Sequence, residues 1–144
     1  MPNKQSLSYN MIAEEDTGAS IGRIYQDIEY SDFTDGGSTA GTLTMTPTLP
    51  EGAFVIGTKV TVNTAFTGTV TLKVGKSSGE DEFTDGTTVS IGTADVVGES
   101  AEDPLEYLAA ATTVYLYAAH SSDWTSVVAG QMRVEIFFIR TVAL

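Results

Sequence analysis

The stretch AFVIGTKVTVNTAFTGTVTLKVG, residues 53–75, constrains the fold more than any other part of the chain. Phe54, Ile56, Val60 and Val62 recur at even spacing, with Lys59, Thr61 and Asn63 on the opposite parity. After a short link, Val70, Leu72 and Val74 alternate with Thr71 and Lys73. Successive side chains of an extended backbone point to opposite faces, so a period of two describes strands with one packed and one wet face. Strands of that kind belong to antiparallel sheets. The link TAFTG is short enough for a hairpin or a tight corner.

The pattern recurs along the chain. GRIYQDIEYSDF (22–33) carries Ile24, Ile28 and Tyr30 at even spacing, and GTLTMT (41–46) alternates Leu43 and Met45 with threonines. Pro47 and Pro50 close that strand, because proline cannot donate to a ladder. TTVSIG (87–92) points Val89 and Ile91 inward, and TTVYLYAA (112–119) points Val114 and Leu116 inward with Tyr115 and Tyr117 outward. In QMRVEIFFIRTV (131–142), Met132, Val134, Ile136 and Phe138 share one face. Phe137 and Ile139 on the other face predict that the second half of this strand is covered on both sides. Asp103 followed by Pro104 predicts one or two helical turns that place Leu105 and Leu108 on one face.

Seven or eight short strands separated by Gly-rich turns predict an all-β, antiparallel sandwich or barrel. Residues 1–21 have isolated apolar residues without a sustained period and read as an extended arm that orders against a partner. Residues 22–144 then form one β-sandwich domain, long enough to bury its own core.

Charge and composition exclude several functions. Lys and Arg number 7 against 19 Asp and Glu, a net charge of -12. That balance argues against nonspecific nucleic-acid binding and against attraction to an anionic membrane. The absence of cysteine excludes disulfides, thiolate metal sites and a cysteine nucleophile. No apolar run approaches a membrane span, and MPNKQSLSYN lacks the apolar core of a secretory signal. The expectation is a protein made in the cytosol and used there or assembled into a larger particle.

Three clusters are candidates for chemistry. In GKSSGEDEFTDG (75–86), Glu80, Asp81, Glu82 and Asp85 crowd together. Calcium takes six to eight oxygens, but this spacing departs from the twelve-residue calcium loop, so the stretch reads as a solvated turn with no metal. Neighbours on one loop also rarely face each other as a glycosidase carboxylate pair does. HSSDW (120–124) sets His120 beside Ser121, Ser122 and Asp123, yet a catalytic triad draws its members from separate elements, and the stretch reads as a polar loop. Trp124 with Tyr115 and Tyr117 offers an aromatic platform for a sugar, or core and interface packing. The glycines of TDGGSTAG (34–41) lack the helix and the Lys of a phosphate-binding loop. No catalytic or cofactor-binding residue is assigned, and no cofactor is expected.

The run LPEGAFVIGTKVTVNTAFTGTVTLKVGKSSGEDEFTDG (49–86) resembles small virion structural proteins of tailed bacteriophages. YLAAATTVYLYAA and SVVAGQMRVEIFFIR are similar to the second half of the same pattern, where a strand precedes a Gly-led final strand. The resemblance covers about residues 49–140 and departs at residues 94–106. It implies a jelly-roll-like sandwich in a capsid decoration or cement protein, a head fibre or a small tail component. It further implies a homotrimer partnered by the major capsid protein or other virion proteins, and an arm lying along the shell or exchanged between subunits. Capsid decoration is the first expectation, without enzymatic activity. A glycan- or receptor-binding module of a fibre or tail component is the second, and a hydrolase resting on His120 and the carboxylates the third.

Overall fold

A computed structural model of the chain describes residues 19–85 and 88–141. It contains β1 (Ala19–Glu29), β2 (Thr34–Asp35), β3 (Ala40–Thr44), β4 (Ala53–Thr64), β5 (Val70–Gly75), β6 (Val89–Ser90), β7 (Val96–Ser100), β8 (Tyr115–His120) and β9 (Gln131–Thr141). Two antiparallel sheets form, in the orders β1-β9-β4-β7 and β2-β3-β8-β5-β6.

The pairings explain both orders. β1 pairs with β9, β3 with β8, β4 with β7, and β5 with β6. These pairs are nested, so the chain is one long antiparallel hairpin whose tip is the β5–β6 connection. Winding that hairpin on itself adds the pairs β9–β4 and β8–β5 and closes the two sheets. The short β2 extends the edge of the second sheet beside β3. This is the jelly-roll arrangement, a double-sheet way of burying two apolar faces against each other.

The core lies between the sheets. Val70, Leu72 and Val74 of β5, Leu116 of β8, and Met132, Val134 and Ile136 of β9 are all buried, as the alternation predicts. Val89 and Ile91 are buried at and just beyond β6. TAFTG is a corner that carries the chain from one sheet to the other, with Phe66 buried in it and its amide bonded to the Ile91 carbonyl at 2.9 Å.

Three expectations are corrected. The first strand stops at Glu29, four residues short of Phe33: Tyr30–Asp32 form a 3₁₀ turn, and the Asp32 carboxylate accepts from the Glu29 amide at 2.8 Å. The turn sends the chain to the second sheet. Asp103 and Pro104 start no helix. Asp103 instead holds a turn, accepting from the Leu105 amide at 3.2 Å, which leaves Leu105 exposed and Leu108 buried. In β4, Phe54 and Ile56 do not share a face with Val60 and Val62. The register with β9 shifts between Val55 and Gly57, so the bulge at Ile56 inverts the parity. Ala53 and Val55 are buried before it, Val60 and Val62 after it, and Ile56 is turned outward. β1 begins at Ala19, so residues 19–21 belong to the sheet; the remainder of the expected arm, residues 1–18, lies outside the described residues.

The bulge predicts a reversal of what the plain alternation implies. Val55→Ala should lower the unfolding free energy by about 2 kcal/mol, from ~0.8 kcal/mol per buried methylene plus a residual cavity. Ile56→Ala should stay within about 0.5 kcal/mol. Denaturant melts of the two variants check the pair, and equal losses would place the bulge elsewhere.

Candidate binding surfaces

The acidic stretch is the tip of the nested hairpin. Its middle, Glu82–Thr84, is a 3₁₀ turn that buries Phe83 and Thr84, and the buried Thr58 hydroxyl of β4 donates to the Phe83 carbonyl at 2.8 Å. The turn is therefore fastened beneath the four-stranded sheet. Carboxylate oxygens of Glu80, Asp81 and Glu82 come within 4.8 Å of one another, while Asp85 stands outside the group with a left-handed backbone. One Glu82 oxygen accepts from the Lys76 amide at 3.4 Å, and the other is buried without a hydrogen-bond partner among the described residues. With one ligand oxygen from each, the three carboxylates supply three of the six to eight oxygens a calcium ion takes.

The HSSDW stretch is wired as a turn. His120 Nδ1 accepts from the backbone amides of Ser122, at 3.0 Å, and Asp123, at 3.3 Å, and lies 3.1 Å from the Ser122 hydroxyl oxygen. An accepting Nδ1 places the ring proton on Nε2 in the neutral ring. The Asp123 carboxylate accepts from the Thr125 amide and hydroxyl at 2.9 and 2.8 Å. These bonds, the amide first, hold the Asp123 carboxyl below its ordinary value. The Asp123 carboxylate thus caps the 3₁₀ turn Trp124–Ser126, and it is the Asp123 amide that meets the imidazole.

Trp124 is no platform. Its side chain is 5% exposed and its ring lies 5.2 Å from that of Phe33, which meets Phe66 edge-on. It covers Gly41 of β3, where a Cβ would fall 2.4 Å from the indole. Tyr115 and Tyr117 stay half-buried on the outer face of the second sheet, with Lys73 over the Tyr117 ring at 6.0 Å. Of the two readings of these residues, core packing holds for Trp124, and the three rings do not gather into a platform.

What sequence reasoning missed is the outer face of the four-stranded sheet. Register sets Tyr25, Glu135, Lys59 and Gly98 in one row across the strands, and Asp27, Arg133, Thr61 and Val96 in the next. Glu135 is buried on this outer face because Arg23 and Lys59 cover it, each forming an ion pair with its carboxylate. Arg23 and Arg133 also lie over the Tyr25 ring, at 4.7 and 4.6 Å. Arg133 grips Asp27 through two bonds of 2.7 and 3.0 Å. That grip, assisted by the guanidinium charge, holds the Asp27 carboxyl below its ordinary value and raises Arg133. A groove of about 660 Å³ beside it is lined by Asp27, Glu29, Asp32, Asn63, Gln131 and Arg133, among others. Most of these polar groups are already paired, since Gln131 donates to Glu29 at 3.1 Å and Asp32 caps the Glu29 amide.

The opposite end of the same face is apolar. Ile21 stands across from Ile139, Phe137 follows on β9, Ile56 protrudes at the bulge, and Phe54 meets Tyr107 with ring centroids 6.1 Å apart. Ile21 is 61% and Tyr107 also 61% exposed. The expectation of cover on both sides of late β9 meets a half-buried Phe137 and an exposed Ile139.

No family model matches the chain, and no curated protein matches it in sequence. Among solved structures, it is similar to a chain of the structure described as the cyanophage Pam1 capsid asymmetric unit. The fold is shared with a chain of a phage capsid. The TM-score is 0.55 with 20% identity, and the likeness covers 85% of this chain and 86% of that one. The covered share is wider than the span of about residues 49–140 over which the sequence resemblance ran.

Two outcomes follow from these geometries. Trp124→Ala should cost about 3–5 kcal/mol, a loss of core packing. Native tryptophan fluorescence should be blue-shifted and move red on unfolding, because Trp124 is the sole indole; an unshifted spectrum would contradict its burial. Asp27 and Asp123 both have folded pKa values below their unfolded ones. Their stabilisation is therefore fully present above about pH 4 and is lost as pH falls through the lowered values. Asp27→Asn should flatten the acid limb of a stability–pH profile, and an unchanged limb would remove Asp27 from that role.

Proposed function

We propose that this chain is a non-enzymatic virion structural protein that decorates or cements a phage head shell. The observation that carries this reading is the fold shared along 85% of the chain with a chain of the cyanophage Pam1 capsid asymmetric unit. The site chemistry supports it from another side. His120 and Asp123 hold turns, Phe83 of the acidic tip is buried beneath the four-stranded sheet, and Trp124 is packed in the core.

In this reading the function is mechanical. The protein bridges neighbouring copies of the major capsid protein, buries apolar surface between them and adds hydrogen bonds to the shell. A stable attachment needs about 1,000 Å² or more of buried surface. Repetition over the shell adds avidity. A homotrimer is the expected assembly, made in the host cytoplasm and resident on the virion. Burial of Trp124 takes away the aromatic argument for a glycan-binding module.

The test is addition of the purified protein to heads of its own phage assembled without it. Saturable binding, with a rise in the temperature at which the shells open, is expected. Heads that neither retain the protein nor gain stability would overturn the proposal. Light scattering should give the mass of three chains, and a monomer would remove the trimer.

A further inference from the structure

Between the acidic tip and the turn that follows β7 lies a pocket of about 450 Å³. Its floor is apolar, with Val55, Phe83 and Leu108 all buried. Its rim carries Glu82, Glu102, Asp103 and Glu106, with Lys76 as the one cation. The walls are tied down. The Glu102 amide donates to the Glu82 carbonyl at 2.8 Å, the Ala101 amide to the Ile56 carbonyl at 2.8 Å, and the Leu108 amide to the Ala53 carbonyl at 2.9 Å. The pocket is therefore formed by the fold itself, before any partner arrives.

Charge selects the occupant. Lys76 meets Glu106 at 3.7 Å, but both side chains are partly exposed, and such pairs are weak. Asp103 accepts from the Leu105 amide and one Glu82 oxygen from the Lys76 amide, bonds to neutral donors that leave both carboxylates their charge. Four carboxylates against one ammonium keep the rim negative, and Arg140, across from Ala53, does not line it. The other Glu82 oxygen is buried without a hydrogen-bond partner among the described residues, which favours an occupant that brings donors. An arginine side chain fits both parts of this pocket. Its alkyl stem covers an apolar floor, and its planar fork of donors serves several carboxylates at once.

A separate observation places that arginine on a protein segment. Leu105 is 83% and Tyr107 61% exposed, and they alternate along the turn with the pocket residues Glu106 and Leu108. Exposed apolar groups beside a charged rim mark a protein contact, and arginine is enriched at such contacts.

We infer that this pocket receives an arginine side chain from an exposed segment of a partner protein, whose apolar neighbours rest on Leu105 and Tyr107. The contact is read from the pocket and its turn, and it stands apart from the virion reading.

The probe is the peptide acetyl-Leu-Arg-Leu-amide, titrated to millimolar concentration into the isotope-labelled full chain. The amides of Lys76 and Glu82 and those of the 101–108 turn should shift saturably. The same peptide with neutral citrulline in place of arginine should bind about tenfold more weakly, since it loses the charge-assisted hydrogen bonds. Glu102→Gln with Glu106→Gln should weaken the arginine peptide by about tenfold as well. Leu105→Ala should weaken it about threefold, through lost apolar contact. Glu102, Leu105 and Glu106 are all exposed, so these substitutions leave the fold in place. Absence of saturable shifts, equal binding of the two peptides, or shifts spread over the acidic residues of the whole chain would each overturn the inference. Shifts of the turn with protein concentration alone would overturn it too, assigning the pocket to a second copy. The same shifts produced by calcium chloride without peptide would assign it to a metal ion, with the same consequence.

Discussion

Everything in this molecule depends on the last strand lying between the first strand and β4. β9 pairs with β1 along eleven residues and with β4 on its other side. It thereby satisfies its own backbone groups in both directions and pins the two ends of the nested hairpin together. Its inward row, Met132, Val134 and Ile136, is buried against the second sheet. Its partners are far apart in sequence, so loop-closure entropy is spent before these contacts form. Without β9 the four-stranded sheet would part into β1 alone and the β4–β7 pair.

The same strand organises the outer surface. Glu135 and Arg133 sit at its middle, and Phe137 and Ile139 at its end, so one strand divides the face into an ionic half and an apolar half. The burial of Glu135 under Arg23 and Lys59 is a product of register, since those cations come from β1 and β4. Both cations remain partly exposed, so the cluster resembles a surface network more than a buried pair, and its net worth is modest. Its effect is to keep a wide sheet face charged beside surface that is open for contact.

The chemistry-bearing stretches acquire their meaning from where the nested hairpin places them. GEDEFTDG is its tip, and the tip is tied down by a Thr58 hydroxyl from a strand of the other sheet. His120 ends β8, and its ring holds the following turn together through backbone amides. Gly41 lets an indole lie flat on β3, which is why Trp124 closes the core although it stands in a polar loop. Each is a residue type that often carries function, used here to fasten a corner of the sandwich.

By itself the sequence determined the fold class, the inward sets of β5, β6, β8 and β9, and the exclusion of thiol chemistry. A period of two depends only on backbone geometry, and the cysteine count depends on nothing else. Tertiary structure decided the parity change at Ile56, because a bulge is set by pairing with β9 and leaves no mark in the local pattern. It decided that Val96–Ser100 is an edge strand, since with one neighbour it needs no clear apolar row. It decided that Asp103 makes a turn where a helix cap was expected, and that Trp124 faces inward. Above all it brought Arg23, Lys59, Arg133 and Glu135 together, residues up to 112 positions apart that only strand register can make neighbours.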